Sequence, residues 1–310
     1  MSYVITGASG FVAAHLARAI TVLDPTARLI GVDRIEAAVP ELKAAHALDL
    51  LDIKPLAAVL EREQPKFLVH LASLSSVGAS WHDPIASFTN NTNIFLNVLE
   101  AVRRSSPKAR VLSVGSSEEY GVVTNAELPL RETSALHPAS PYAVARVAQE
   151  HMGDVYVRGF GLDIVATRSF NHVGPGQSDQ FVISALGKQF AEIARGKRER
   201  LEVGNTSVVR DFLDVRDVVR AYCDLLARGV RGEVYNVCSG RGVSIAEVIT
   251  MFEAIAGIRP VVYQDPARMR PVENASVIGS NEKIANALGW KPAYTLEESL
   301  RAVYEYWFNK

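Results

Sequence analysis

Cysteine is nearly absent: Cys223 and Cys238 are the only two in 310 residues. So few exclude a disulfide-stapled scaffold, and neither is flanked like a metal knuckle. No metal is expected, and a reduced, cytoplasmic setting is. The chain also lacks any apolar run approaching the ~20 residues that a membrane span needs. It lacks a dominant charge, because 33 Lys and Arg stand against 34 Asp and Glu for a net −1. That balance, without a long basic stripe, argues against a nucleic-acid partner. The densest cationic run, "RGKRER" (195–200), reads as a solvated helix end and turn. Internal repeats and low-complexity segments are missing too. The first apolar run begins at residue 3, so no targeting segment is expected ahead of the fold.

What is present is a rhythm. "YVIT" (3–6) is a short apolar run, followed by "GASG" and the apolar-periodic "FVAAHLARAITVL". That order predicts strand, tight turn and helix. "RLIGVD" (28–33), "KFLVHLA" (66–72), "ARVLSVGSS" (109–117) and "LDIVATRSF" (162–170) predict further strands. One helical pattern, "IASFTNNTNIFLNVLEAVRRS", ends in Arg103 and Arg104, where cations suit a helix C-terminus. Another opens at "SPYAVARVAQE" (140–150). Strands alternating with helices predict an α/β fold, a doubly wound parallel sheet of Rossmann type. Strands that are apolar throughout fit a sheet covered on both faces. Past about residue 170 the rhythm breaks at turn signals such as "GPGQ" (174–177), and a smaller mixed α/β C-terminal lobe is expected. The expected division is a dinucleotide-binding domain over 1–170, to which about 209–238 returns, and a discontinuous substrate lobe over 171–310.

Gly7 and Gly10 fall between the first strand and the first helix. Glycine there lets the backbone approach a pyrophosphate, and the helix N-terminus offers unpaired N–H groups and the positive end of its dipole. Asp33 ends the second strand, where a carboxylate binds a ribose 2′-hydroxyl and favours NADH. Arg34 follows at once and suits a 2′-phosphate, so NADH and NADPH both stay open. In "SPYAVARVAQE", Tyr142 and Arg146 are four residues apart and share one helix face. A phenol beside a fixed cation is a proton donor for chemistry near neutral pH.

These segments together, "TGASGFVAAHL" and "SPYAVAR", resemble the extended short-chain dehydrogenase/reductase superfamily across essentially the whole chain. In that family's TGxxGxxG turn, Thr6, Gly7 and Gly10 match and Ala13 replaces the third glycine. The resemblance implies that Phe11 and Val12 also border the cofactor. It implies adenine contacts from Asp49 and Leu50 in "LDLLD" (48–52), and a loop under the nicotinamide ribose at Leu71, Ala72 and Ser73 in "HLAS". Asn91 matches a cofactor-side asparagine of the following helix, and Ile94 stands where a glycine is usual. "SSEEYG" (116–121) resembles the catalytic serine/threonine segment, with Ser116 in the hydroxyl position and Ser117 and Glu118 beside the substrate. The second half is similar to GDP-6-deoxy-D-mannose reductases in "RSFNHVGPGQ" (168–177), "VGNTSVVRDFLDVRDVVRAY" (203–222), "YNVCSG" (235–240) and "QDPARMRPVE" (264–273). "LGWKP" (288–292) is a signature of the superfamily only.

The resemblance implies reduction of the C4 ketone of GDP-4-dehydro-6-deoxy-D-mannose to GDP-D-rhamnose by NADH or NADPH. Ser116, Tyr142 and Arg146 would be the catalytic set. Asn171, Arg210, Arg270 and Glu273 would hold the GDP-sugar, since guanidinium forks suit phosphate oxygens. His172 would fix backbone polar groups of its loop. The family pattern carries lysine where Arg146 stands. Arginine keeps a permanent charge and several donors but does not pass a proton. A working site of altered geometry is expected, and a dinucleotide-binding protein without turnover is the alternative. Glu118 leaves a GDP-mannose 4,6-dehydratase or a related epimerase open as well. A homodimer is implied, formed by a four-helix bundle from residues at about 84–104 and 140–158.

Overall fold

The computed structural model describes residues 1–266 and 274–310. The first half runs β1 (Ser2–Thr6), α1 (Phe11–Leu23), β2 (Arg28–Asp33), β3 (Ala44–Ala47), α2 (Ile53–Glu63) and β4 (Phe67–His70). It continues through α3 (Val77–His82), α4 (Pro84–Ser105), β5 (Arg110–Ser116), a 3₁₀ turn at Ser117–Tyr120, α5 (Pro141–Phe160) and β6 (Asp163–Ser169). The second half holds β7 (Asn171–Val173), α6 (Val182–Ala194), β8 (Arg200–Val203), β9 (Val209–Asp214), α7 (Val215–Arg228) and β10 (Val234–Val237). Then come β11 (Gly242–Ser244), α8 (Ile245–Ala256), β12 (Val261–Gln264), β13 (Ser276–Val277), α9 (Glu282–Leu288) and α10 (Leu296–Phe308).

The doubly wound parallel sheet expected from the sequence is there. Its seven strands run in the order β10-β6-β5-β4-β1-β2-β3, and all neighbours are parallel. Successive residues of a strand point to opposite faces. In β1, Tyr3 and Ile5 join a core with Leu16 of α1 and Leu225 of α7, while Val4 joins Leu56, Phe95 and Ile164 on the other face. Both faces are dry, which is why the strands read as unbroken apolar runs. The strand order reverses between β1 and β4, and the crevice above that reversal is where ligands of such sheets bind.

A second core lies beyond the sheet, around Ile183, Phe190, Val248, Phe252 and Leu300. Phe190 and Phe252 stack there with ring centroids 5.3 Å apart. Its strands form a small sheet of β7, β9, β11 and β13, and a separate pair, β8 with β12. Of the segment 209–238, α7 packs on α1 and β10 adds the last strand of the main sheet, whereas β9 belongs to the small sheet. β9 is held there by β7, β11 and β13, so the chain crosses between the layers at Asp214–Val215. Among the described residues, no helix is long and apolar enough to cross a membrane.

Candidate active site

Over the switch of strand order lies a cavity of about 660 Å³. One of its walls is built mainly from backbone. Gly7 sits at φ +69°, a left-handed conformation, and a Cβ there would lie 2.7 Å from the Ala72 nitrogen. Only glycine lets the turn after β1 touch the end of β4 in this way. α1 then starts at Gly10 with no side-chain cap and no acidic residue in its first turn. Its leading N–H groups therefore remain open to an anion in the cavity. α5 is the opposite case: Ser140 Oγ accepts from Ala143 N at 3.1 Å and Pro141 occupies the first turn.

Asp33 closes this wall. Its Oδ2 accepts from Ser9 N at 3.0 Å and Ser9 Oγ at 2.5 Å, which turns the carboxylate towards the glycine turn. Ser9 went unnoticed in the sequence, although its place between the two glycines marks it. Arg34 is exposed beside it. Gly7, Gly10, Phe11, Val12, Asp33, Arg34, Asp49, Leu50, Leu71, Ala72 and Ser73 all line the cavity. Asn91 stands one step back. It is buried, its Oδ1 accepts from Leu74 N at 2.8 Å and Ser73 Oγ at 3.2 Å, and its Nδ2 donates to Leu74 O. Those bonds make it the support of the 73–74 loop, and Asn90 and Ile94 of the same helix line the cavity instead.

The facing wall is made of side chains. α5 turns Tyr142, Arg146, Gln149, Gly153 and Tyr156 towards the protein, the spacing of one helix face. Arg146 Nε donates to the Tyr142 phenol oxygen at 3.1 Å, and its guanidinium carbon lies 5.1 Å from the centre of that ring. Arg146 Nη1 donates to Val114 O at 3.0 Å and to Gln149 Oε1 at 2.5 Å. Nearby, the buried His70 bonds Thr6 Oγ1 at 2.9 Å. Burial and then the charge of Arg146 hold its pKa down at about 3, so the ring is neutral.

Ser116 ends β5 beside this pair and lines the same cavity as Tyr142 and Arg146. Its Oγ accepts from Glu118 N at 3.2 Å, and its N–H donates to Glu119 Oε1 at 2.7 Å. Glu119 is wholly buried. Desolvation, then the neighbouring Glu150 charge, push its carboxyl up to about 8. Arg168 is committed to Glu150 by two bonds, at 2.7 and 2.9 Å, and lies 3.8 Å from Glu119. One cation thus serves two carboxylates.

Ser117, Glu118 and Asn171 line the cavity towards the second lobe. Asn171 Nδ2 donates to Asp211 O at 3.1 Å. Arg210 is not among the lining residues; its Nη1 donates to Val209 O and Asn274 O, both at 2.9 Å. Arg270 and Glu273 lie outside the described residues. His172 is half-buried, its Nε2 lies 3.3 Å from the Tyr222 hydroxyl, and its backbone oxygen accepts from Gln177 Nε2 at 3.0 Å. Burial lowers its pKa to about 4 and keeps the ring neutral. Ser178, Gln180 and Phe181, just before α6, complete the rim on the second-lobe side. No sequence signal marked them, since a polar turn before a helix looks the same with or without a ligand.

An open glycine turn, a carboxylate at the end of β2 and a Tyr–Arg pair in one crevice define a dinucleotide-binding enzyme of the extended short-chain dehydrogenase/reductase class. The model of the GDP-mannose 4,6 dehydratase family matches residues 4–303, and the chain belongs to this family. It is 38% identical over 307 residues to the GDP-6-deoxy-D-mannose reductase of Pseudomonas aeruginosa, covering 99% of this chain and 97% of that one. The solved structure of RMD from Pseudomonas aeruginosa complexed with NADPH superposes with a TM-score of 0.89 at 37% identity, covering 99% of both chains. The Thermus thermophilus UDP-glucose 4-epimerase in complex with NAD gives 0.88 at 27% identity, again with 99% of both chains covered. The protein is an NAD(P)-dependent enzyme, and its uncapped α1 and the close approach at Gly7 fit a dinucleotide.

Proposed function

We propose that the protein reduces the C4 ketone of GDP-4-dehydro-6-deoxy-D-mannose to give GDP-D-rhamnose. The observation that carries this reading is the Tyr142 phenol, held by Arg146 inside a cavity that Ser116 also lines. Full-length similarity to a GDP-6-deoxy-D-mannose reductase supports this choice of substrate. Gly7, Gly10, Phe11, Val12, Asp33, Arg34, Asp49, Leu50, Leu71, Ala72 and Ser73 would hold the NADH or NADPH, with Asn91 supporting them. When bound, the reduced nicotinamide supplies hydride to C4. Tyr142 donates its proton to the C4 oxygen as negative charge develops there. Ser116 Oγ, which already accepts from Glu118 N, keeps its own proton to donate to the same oxygen. Arg146 stabilises the phenolate that Tyr142 becomes, and it does so without exchanging a proton.

Ser117, Glu118 and Asn171 would contact the sugar and diphosphate, and Arg210, Arg270 and Glu273 would close over the nucleotide. The dinucleotide half would be residues 1–170 with α7 and β10, and the GDP-sugar lobe the remainder of 171–310. Exposed Ile85, Phe88 and Leu96 on α4 and Val144 and Val155 on α5 offer apolar stripes that support a homodimer through a four-helix bundle. A monomer in light scattering would rule that out. Both cysteines are free thiols, as suits a cytoplasmic enzyme.

Glu118 in the cavity favours one second reading, a 4,6-dehydratase, because that chemistry needs an acid near C6. Absorbance of the reduced cofactor separates the two. A reductase consumes NADH or NADPH in proportion to added keto sugar. Production of the keto sugar from GDP-mannose with catalytic NAD(P)+ would overturn the reductase reading.

A further inference from the structure

An arginine is a wider and more directional group than a lysine. Its guanidinium is a planar fork whose donors point in fixed directions, so its use depends on how the plane is set. The structure shows what sets it here. Gln149 is one helical turn beyond Arg146, buried at 1% exposure. Its Oε1 accepts from Arg146 Nη1 at 2.5 Å. Its Nε2 in turn donates to Ser113 Oγ at 2.9 Å and to Val114 O at 3.2 Å, which anchors the amide to β5. The sheet provides the room: β4 pairs with β5 only as far as His70 and Ser113, so Val114 lies past the end of β4. The Val114 carbonyl then accepts from both Gln149 and Arg146. The neutral His70 ring adds no second cation to the pocket.

We propose that Gln149 is a positioning residue that seats the Arg146 guanidinium against β5, so that Nε meets the Tyr142 phenol and Nη2 faces the cavity. Among the described residues Nη2 takes no hydrogen bond, and Arg146 lines the cavity, which leaves this nitrogen for the bound cofactor. Gln149 therefore acts through Arg146 and not on the substrate. The kinetic part of this inference rests on Tyr142 as proton donor; the binding part does not.

The test compares Gln149→Met, which keeps the bulk and removes the amide, with Gln149→Glu, which keeps an acceptor for Nη1. Three quantities are read for each full-length variant: the Kd for NADH and NADPH by nicotinamide fluorescence, kcat and KM on the keto sugar, and the thermal midpoint. Gln149→Met is expected to weaken cofactor binding several-fold and to lower kcat by about 10- to 100-fold, while KM for the sugar stays within about two-fold. Gln149→Glu keeps the acceptor but loses the donor to Ser113 Oγ and Val114 O, and is expected to fall between Gln149→Met and wild type in cofactor binding and kcat. Equal losses in the two variants, or losses that simply follow the thermal midpoint, would overturn the proposal. Unchanged binding and kcat in Gln149→Met would overturn it too. If the wild type does not turn over the keto sugar, the proposed function fails, and the fluorescence arm alone still decides the role of Gln149.

Discussion

The two walls of the cavity are held by different means. The wall at Gly7–Gly10 depends on backbone: a left-handed glycine, a close approach to Ala72 and an uncapped helix start. The wall at Ser116 and Tyr142 depends on side chains: Arg146 on Gln149 and β5, Ser116 on Glu119, Glu119 near Arg168. A backbone wall tolerates most neighbouring substitutions and fails only where a Cβ intrudes. A side-chain wall can be adjusted one residue at a time, and Arg146 with Gln149 is such an adjustment.

That contrast is sharpest in Tyr142→Phe. The variant is expected to lose about 10³-fold or more in kcat while binding NADH and NADPH within a few-fold of wild type. Lost cofactor binding, measured by fluorescence titration, would show that the walls are not separable. The complementary change is Gly7→Ala. A positive φ and the contact with Ala72 give it a cost of about 1–3 kcal/mol in strain, read in denaturant unfolding. Cofactor affinity should fall about 10-fold or more, with kcat at saturating cofactor far less affected.

A smaller effect is expected at Asp33, which Ser9 aims at the turn. Asp33→Ala should shift the NADPH-to-NADH preference in kcat/KM by about 10-fold towards NADPH, since Arg34 remains for a 2′-phosphate. The smallest concerns Glu119. A carboxyl raised in the folded state binds its proton more tightly there than in the unfolded chain, where it is ordinary at 4.5. Stability contributed by Glu119 therefore falls as pH rises from 4.5 towards about 8. In Glu119→Gln the decline should disappear. The difference in thermal midpoint, variant minus wild type, should widen from pH 5 to pH 8, and a constant difference would deny the buried proton.

How much of this was legible follows the same division. Gly7, Gly10 and Asp33 declare themselves locally, because a strand, a turn and a helix are read within one short segment. Tyr142 and Arg146 declare themselves by helical spacing. Gln149 does not, since its partners Ser113 and Val114 lie 36 and 35 residues away and only the folded sheet brings them together. β3, "AAHA", carries no apolar alternation and is a strand only because β2 pairs with it. β9 looks like a strand of the main sheet until its partners β7, β11 and β13 are known. Asn91 reads as a cofactor residue, yet its amide is spent on the loop that the cofactor wall needs.

The late strand β10 has a consequence for how the molecule is made. Asn236 on this strand accepts from the Tyr120 hydroxyl and donates to Leu130 O, so it ties down the loop that follows Ser116. α7, made just before it, covers the face of β1 that carries Tyr3 and Ile5. A chain emerging from the ribosome would hold every glycine of the first turn long before it holds these closing pieces. Contacts so distant in sequence form slowly, and until Val237 is out the part of that face which α7 covers beside α1 stays bare. The growing chain thus passes through a long interval in which its first half is written but not yet closed.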